Sequence, residues 1–325
     1  MTKSTAVSLC LAGALCVPVF QNALSQDYPS RPIRVLSIFG PGSVADGAMR
    51  LIAQNMSASM GQPVVVEIQA GAGGVLAAQT LVRSAPDGYT ILHAVPATLV
   101  STPFVLKNPP YDPLKDFTYI THLADATTSL LVAASLPVNT VKELIDYARA
   151  HPGKLAYGSN GIGGTYHLEM ELLKQKYGLD ITHVPYKGGS LGLMAAAAGQ
   201  IPIALAPAVS ALAQARAGKV KILAVLSAKR FPTLPDLPSM GEQLPDYEKI
   251  PGGDEIVGPA GMPAPILSRL HAEIVKALNT AEVQERMKKI GFVPVGNTPE
   301  EHAAQMRRAI DVFAKGRKAA RIEVQ

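Results

Sequence analysis

Four short glycine-rich stretches punctuate this chain: Gly40-Pro41-Gly42-Ser43, Gly71-Ala72-Gly73-Gly74, residues 158–164, and Gly188-Gly189-Ser190. Each follows a run of strand-forming residues and precedes a helical pattern. A strand that feeds a helix through a tight turn, repeated along a chain, predicts parallel strands joined by right-handed crossovers. The third stretch is the richest, with Gly158, Gly161, Gly163 and Gly164 ahead of Thr165. Glycine lets backbone approach a ligand closely, and the first turn of a helix offers N–H groups without intrahelical partners. Together they make an anion site built of main chain, with Thr165 placed to cap the helix. The Lys of a phosphate-binding P-loop is missing, which favours a carboxylate over a phosphate. One such loop alone is better explained as a bare connection; the argument rests on the repetition.

The start of the chain reads as a secretory signal. Lys3 supplies the positive end, residues 6–20 are apolar apart from Ser8, Gly13 and Pro18, and Ala23-Leu24-Ser25 gives small residues ahead of Gln26. Residues 1–25 are therefore expected to be removed near Ser25-Gln26, leaving the protein in the periplasm. The apolar run is too short to span a bilayer. Both cysteines, Cys10 and Cys16, fall inside this segment. The mature chain thus has neither disulfides nor thiolate chemistry. Loss of Lys3 takes the net charge from +5 to +4, and with scattered charges and no Trp no nucleic-acid stripe is expected. About 300 residues remain, enough for two domains and a core that folds without staples.

Along the mature chain, residues 33–38, 64–68 and 89–93 read as strands, with helical patterns over 44–60 and 75–83 between them. Residues 103–113 are a proline-rich excursion. Strands over 117–123 and 130–134 flank residues 125–129, where the chain is expected to cross into a second domain. A helix over 141–150 with Thr140 as cap follows, then strands at 181–185, 201–206 and 220–226 and a small-residue helix over 191–198. Residues 231–251 contain five prolines and no clear period, and read as the path back to the first domain. Helices over 263–279 and 280–290 come next. Thr298-Pro299-Glu300-Glu301 is a capping box opening a last helix whose Arg307, Arg308, Lys315, Arg317 and Lys318 are expected on a solvated face. The expected architecture is α/β, two lobes of parallel-rich sheet flanked by helices: residues 26–125 with 229–325 form one lobe, and 126–228 the other.

At the carboxyl edge of parallel strands the four loops converge on one cleft. Four helix N-termini would then face a small anion held between the lobes. The residues expected to bind it are Phe39, Gly40, Pro41, Gly42, Ser43 and Asp46, then Gly73 and Gly74, and from the second lobe Ser159, Asn160, Gly163, Gly164, Thr165 and Tyr186. In the second lobe, Ser159 and Thr165 with the N–H groups near Gly163 and Gly164 are expected to hold one carboxylate.

The same residues carry a family resemblance. Arg31-Pro32-Ile33-Arg34 with Phe39-Gly40-Pro41-Gly42 and Asp46, Gly71-Ala72-Gly73-Gly74, and Pro86-Asp87-Gly88-Tyr89-Thr90 come first. Tyr111-Asp112-Pro113-Leu114-Lys115-Asp116-Phe117, Tyr157-Gly158-Ser159, His183-Val184-Pro185-Tyr186-Lys187-Gly188 and Gly258-Pro259-Ala260-Gly261-Met262-Pro263 follow in order. In these motifs nearly the whole mature chain resembles the extracytoplasmic solute receptors of the tripartite tricarboxylate transporters, also called Bug receptors. The resemblance implies a two-lobed periplasmic binding protein of the Venus-flytrap kind, type II-like. It implies closure over a carboxylate held by the loop after the first strand and by the second-lobe Gly-Ser loop, partly through water. Membrane subunits of such a transporter are the implied partner of a monomeric receptor, with no cofactor or metal. Three departures stand out: Gly42-Ser43 replaces a pair of glycines, Ile68 replaces an Asn, and Gly253 stands where a Trp is common.

An enzyme is the competing reading. Gly188-Gly189-Ser190-Leu191-Gly192 fits the G-x-S-x-G nucleophile elbow of a secreted serine hydrolase, with Asp246 or Asp254 and His271 or His302 available downstream. Against it, no HGGG-type oxyanion loop precedes the serine, and both histidines lie in helical patterns. Gly71-Ala72-Gly73-Gly74 lacks the third glycine and the acidic residue of a dinucleotide site. His167 and Glu171 lie one helical turn apart, but no third metal ligand accompanies them.

Overall fold

The computed structural model describes residues 28–101, 106–231 and 233–322. The signal-segment reading, and part of the proline-rich excursion, lie outside the described residues.

Two sheets form, one per lobe. The first is built from β1 (Ile33–Ser37), β2 (Val64–Ile68), β3 (Thr90–Ala94), β4 (Phe117–Ala126), β10 (Asp254–Pro259) and β11 (Phe292–Pro294). Its strands lie in the order β11-β4-β10-β3-β1-β2. The second is built from β5 (Thr128–Ala133), β6 (Leu155–Ser159), β7 (Ile181–Pro185), β8 (Ile203–Pro207) and β9 (Val220–Val225). Its order is β7-β6-β8-β5-β9. Both sheets are mixed. β1 runs parallel to β2 and β3, and β6 parallel to β7 and β8; every pair involving β4, β5 or β10 is antiparallel. The parallel halves are those that carry the glycine loops. The antiparallel halves are larger than the sequence pattern foretold, because the direction in which β4, β5 and β10 pair is set by long-range contacts that leave no local signature.

Helix α1 (Val44–Met60) buries Ala45, Ala48, Met49, Ile52, Ala53 and Met56 on one face, as its 3.6-residue period requires. It packs with α8 (Ala264–Leu278) and α9 (Ala281–Lys289) on the first sheet. Helix α2 (Val75–Val82) covers the other face of that sheet. In the second lobe, α3 (Val141–Ala150), α4 (Thr165–Tyr177), α5 (Gly189–Ala197) and α6 (Ala208–Arg216) flank the sheet. Helix α6 and the single-turn α7 (Met240–Gln243) were absent from the sequence pattern. Side-chain caps form at Thr140, Thr280 and Thr298, the last as the full capping box of α10 (Pro299–Ala319). α10 exposes Arg307, Arg308, Lys315 and Lys318 but half-buries Arg317. It also packs against α4, so it joins the lobes.

Two stretches carry the chain between the sheets. β4 leads into β5 across the one intervening residue, Thr127, rather than across the five-residue passage expected. The Thr127 N–H donates to the Gly291 carbonyl (3.0 Å), and its own carbonyl accepts from Ala208 N–H (2.8 Å). The return runs from Leu226 to Asp254 and includes α7, whose Ser239–Glu242 capping box stabilises that turn.

Candidate ligand cleft

A cavity of about 270 Å³ opens between the two sheets. Phe39 and residues 95–97 wall it on the first-lobe side, Asn160, Thr165 and Tyr166 on the second, and residues 126–128 and 252–254 lie between. Its lining comes from loops at strand ends, where open α/β sheets place their ligands.

The first-lobe wall is set by β1 and β3. Phe39 packs on the His93 ring at 4.6 Å between centroids, and His93 Nε2 stands 3.1 Å from the Asp254 carboxylate. The rest of the first glycine loop turns inward on itself. Ser43 caps α1 by accepting from Asp46 N–H (3.2 Å), and the Asp46 carboxylate accepts from Gly42 N–H (2.9 Å) and pairs with Arg50 (2.9 Å). Burial would raise the Asp46 pKa, but Arg50 and the Gly42 N–H hold it below its ordinary value. A carboxylate this spent, and only 3 % exposed, holds its own loop and has no donor to offer an anion.

The second-lobe wall is braced by two histidines. The Ser159 hydroxyl, wholly buried, lies 2.7 Å from His183 Nε2 and accepts from Gly161 N–H (3.1 Å). His183 is stacked between Tyr157 (4.9 Å) and His167 (3.8 Å). His167 Nδ1 accepts from Gly163 N–H (3.0 Å), and Gly164 N–H donates to the Gly161 carbonyl (3.1 Å). Burial and the neighbouring His167 push His183 down to about 4, so it stays neutral.

Helix α4 begins with Gly164 as its cap residue, not Thr165, which is already helical. The cap comes from further back: Asn160 Oδ1 accepts from Tyr166 N–H (3.1 Å). The Thr165 N–H then has no partner among the described residues.

Of the residues expected at the ligand, the structure brings Phe39, Asn160 and Thr165 to the cavity wall. Gly40, Pro41, Gly42, Ser43, Asp46, Ser159, Gly163 and Gly164 do not line it, and Pro41 and Gly42 are exposed. The Ser159 hydroxyl and the Gly163 and Gly164 N–H groups, expected as direct donors, have partners within the protein here: His183, His167 and the Gly161 carbonyl. Gly73 gives its carbonyl to Thr98, and Tyr186 packs beside Gly158 and Gly192. The sequence pattern missed residues 95–97, 126–128, 252–254 and Tyr166. Only the ends of their strands could have flagged them. Gly253 cannot carry a side chain on this backbone: its φ is +130° and a Cβ would stand 2.1 Å from the Ala124 carbonyl oxygen. The cleft wall there is bare main chain.

The hydrolase residues do not meet. Ser190 is exposed on α5 in the second lobe. In the first lobe His302 faces Glu255 at 2.6 Å, His271 bonds the Asn297 carbonyl and Asp254 belongs to His93. Glu171 takes the Tyr157 hydroxyl and the Lys174 ammonium, His167 Nδ1 takes the Gly163 N–H, and among the described residues no group of three His, Cys, Asp or Glu side chains could hold a metal.

Residues 48–317 match the family described as the tripartite tricarboxylate transporter family receptor. The chain belongs to this receptor family. It is 36 % identical over 275 residues to a UPF0065 protein of Bordetella pertussis, covering 84 % of each chain. Among solved structures it resembles Rpa4515 of Rhodopseudomonas palustris, solved with adipate: 32 % identity, 91 % of this chain and 99 % of that one covered, TM-score 0.76. It resembles MatC of the same organism, solved with malate, at 29 % identity, 89 % and 99 % coverage and TM-score 0.72. The family is one of solute-binding receptors, and its fold is the two-lobed periplasmic binding protein seen here.

Proposed function

We propose that this receptor captures a small carboxylate in the interlobe cleft and that the closed form is what the membrane subunits of a tripartite tricarboxylate-type transporter recognise. It works in the periplasm as a monomer after cleavage near Ser25-Gln26, and it catalyses nothing. The observation that carries the reading is the unpartnered Thr165 N–H at the start of α4, opening on a cavity walled by both lobes. Adipate and malate in the two related receptors are both small carboxylates, which supports the same class here.

In this reading Thr165 and Asn160 meet the ligand directly, Phe39 covers it from the first lobe, and the two glycine loops hold these three in place. Lobe one comprises residues 26–125 and 229–325, and lobe two 126–228, hinged at Thr127 and along the return path. The ligand favours closure through contacts made to both lobes at once.

The test is a thermal-shift screen of the mature protein against mono-, di- and tricarboxylic acids and an ester substrate. A ligand that binds only the folded state adds about 2.7 kcal/mol at one hundred times Kd. A shift with one acid class, compaction in small-angle scattering and an intact ester are expected. Turnover of the ester, or silence from every acid, overturns the reading.

A further inference from the structure

The cleft continues past its mouth. A smaller cavity of about 30 Å³ shares Ala126, Thr128, Thr165, Tyr166 and Gly252 with it. That is about the liquid volume of a single water. Lys249, on the return path between the lobes, lines this inner cavity. Among the described residues lining either cavity, Lys249 is the one Lys or Arg. Its ammonium is half-buried and gives one donor to Asp125 Oδ1 at 3.1 Å. An ammonium has three donors, so two remain.

Resting on the function proposed above, we infer that the ligand is a dicarboxylic acid whose second carboxylate, at the end of the cleft, is met by Lys249 through one water in the inner cavity. Thr165 and Asn160 take the first carboxylate; the Lys249 ammonium takes the other end. The surrounding charges permit it. Asp125 is shared between Lys249 and His122 Nε2 (3.3 Å), so losing part of Lys249 leaves it a cationic partner. Burial alone would lower His122, but Glu255 and Asp125 push it up to about 10, so that partner is charged at neutral pH. Glu169, the one acid among the residues lining the inner cavity, accepts from Ile250 N–H (3.0 Å), and burial pushes it up to about 7. Half of it is then neutral near that pH, which limits its repulsion of a second ligand carboxylate.

The experiment is calorimetric titration of wild type, Lys249→Met and Lys249→Arg. The probes are succinate, glutarate, adipate and suberate, each against the monocarboxylate of equal carbon number. Wild type is expected to prefer one diacid over its monoacid by about 10- to 100-fold, the worth of a hydrogen bond to a charged group. Lys249→Met should erase that preference while holding monoacid affinity within about three-fold, and Lys249→Arg should restore part of it. A melting curve for each variant checks the fold. A purely structural Lys249, tying the return path to Asp125, would weaken both acids alike, and that outcome overturns the inference while leaving the receptor reading intact. Preference for a monoacid in wild type does the same. Binding of no acid at all overturns both.

Discussion

The loops after β1 and β6 are the same device in sequence, glycine-rich turns feeding a helix, yet they are secured differently. The first is closed by residues of its own helix: Ser43 caps α1 and Asp46 reaches back to Gly42. The second uses its own helix too, through His167 two residues into α4, and Asn160 in the loop stands in for the missing cap, but it is also held from outside, by His183 on the neighbouring strand. A locally closed loop survives changes around it. A loop braced from three directions transmits each change to the cleft wall it carries. Five variants probe this difference.

The largest effect is expected at Gly164. A Cβ there would meet Asn160 Oδ1 at 2.4 Å, whereas one on Gly40 would meet nothing within 4 Å. Gly164→Ala should displace Asn160 from both the cap and the cleft, costing about 1–3 kcal/mol in denaturant unfolding and most of the ligand affinity. Gly40→Ala should stay within about 0.5 kcal/mol of wild type. Equal effects at the two positions would erase the contrast.

Next comes Asp46→Ala, which frees the Gly42 N–H and Arg50 together. About 1–3 kcal/mol of stability should be lost. Because the folded pKa of Asp46 is depressed, its contribution is present above the unfolded value, near 3.8, and falls away as pH drops through the folded one. The variant should therefore lose the corresponding part of the acid limb of the melting profile and keep the neutral limb flat.

The second loop should show its own pH response. His183 is held at about 4 against an ordinary 6.5, so the fold prefers it neutral. Its contribution is complete above 6.5 and is lost as pH falls through 4. Relative to the intrinsic exchange rate at each pH, the protection of the Gly161 and Gly163 amides should fall over that window while that of Gly42 holds. His183→Gln should abolish the difference between the loops.

Ser159→Ala is expected to do least. It removes a hydroxyl already spent on His183 and Gly161, so stability should fall by about 1 kcal/mol and ligand affinity should hold within about three-fold. A loss beyond about ten-fold in titration would return Ser159 to direct contact with the ligand.

Much of the fold was legible because its signals are local. The apolar face of α1, the Thr140 and Thr280 caps and the Thr298–Glu301 box are all chemistry between residues three or four apart. Helix α6 was hidden because Ala208-Val209-Ser210-Ala211-Leu212-Ala213 offers no contrast between its faces. α7 was hidden among prolines.

The sequence by itself determined most of the strands and helices, the four glycine junctions and the receptor class, since each is written in short-range pattern or in ordered motifs. Only the tertiary structure decided which donors face the ligand. Whether Ser159 or Thr165 is free depends on where His183 and Asn160 come to lie, and the cleft brings residues 95–97 against 252–254 by inserting β10 between β3 and β4. That last pairing joins segments more than a hundred residues apart, and no local period or cap encodes it.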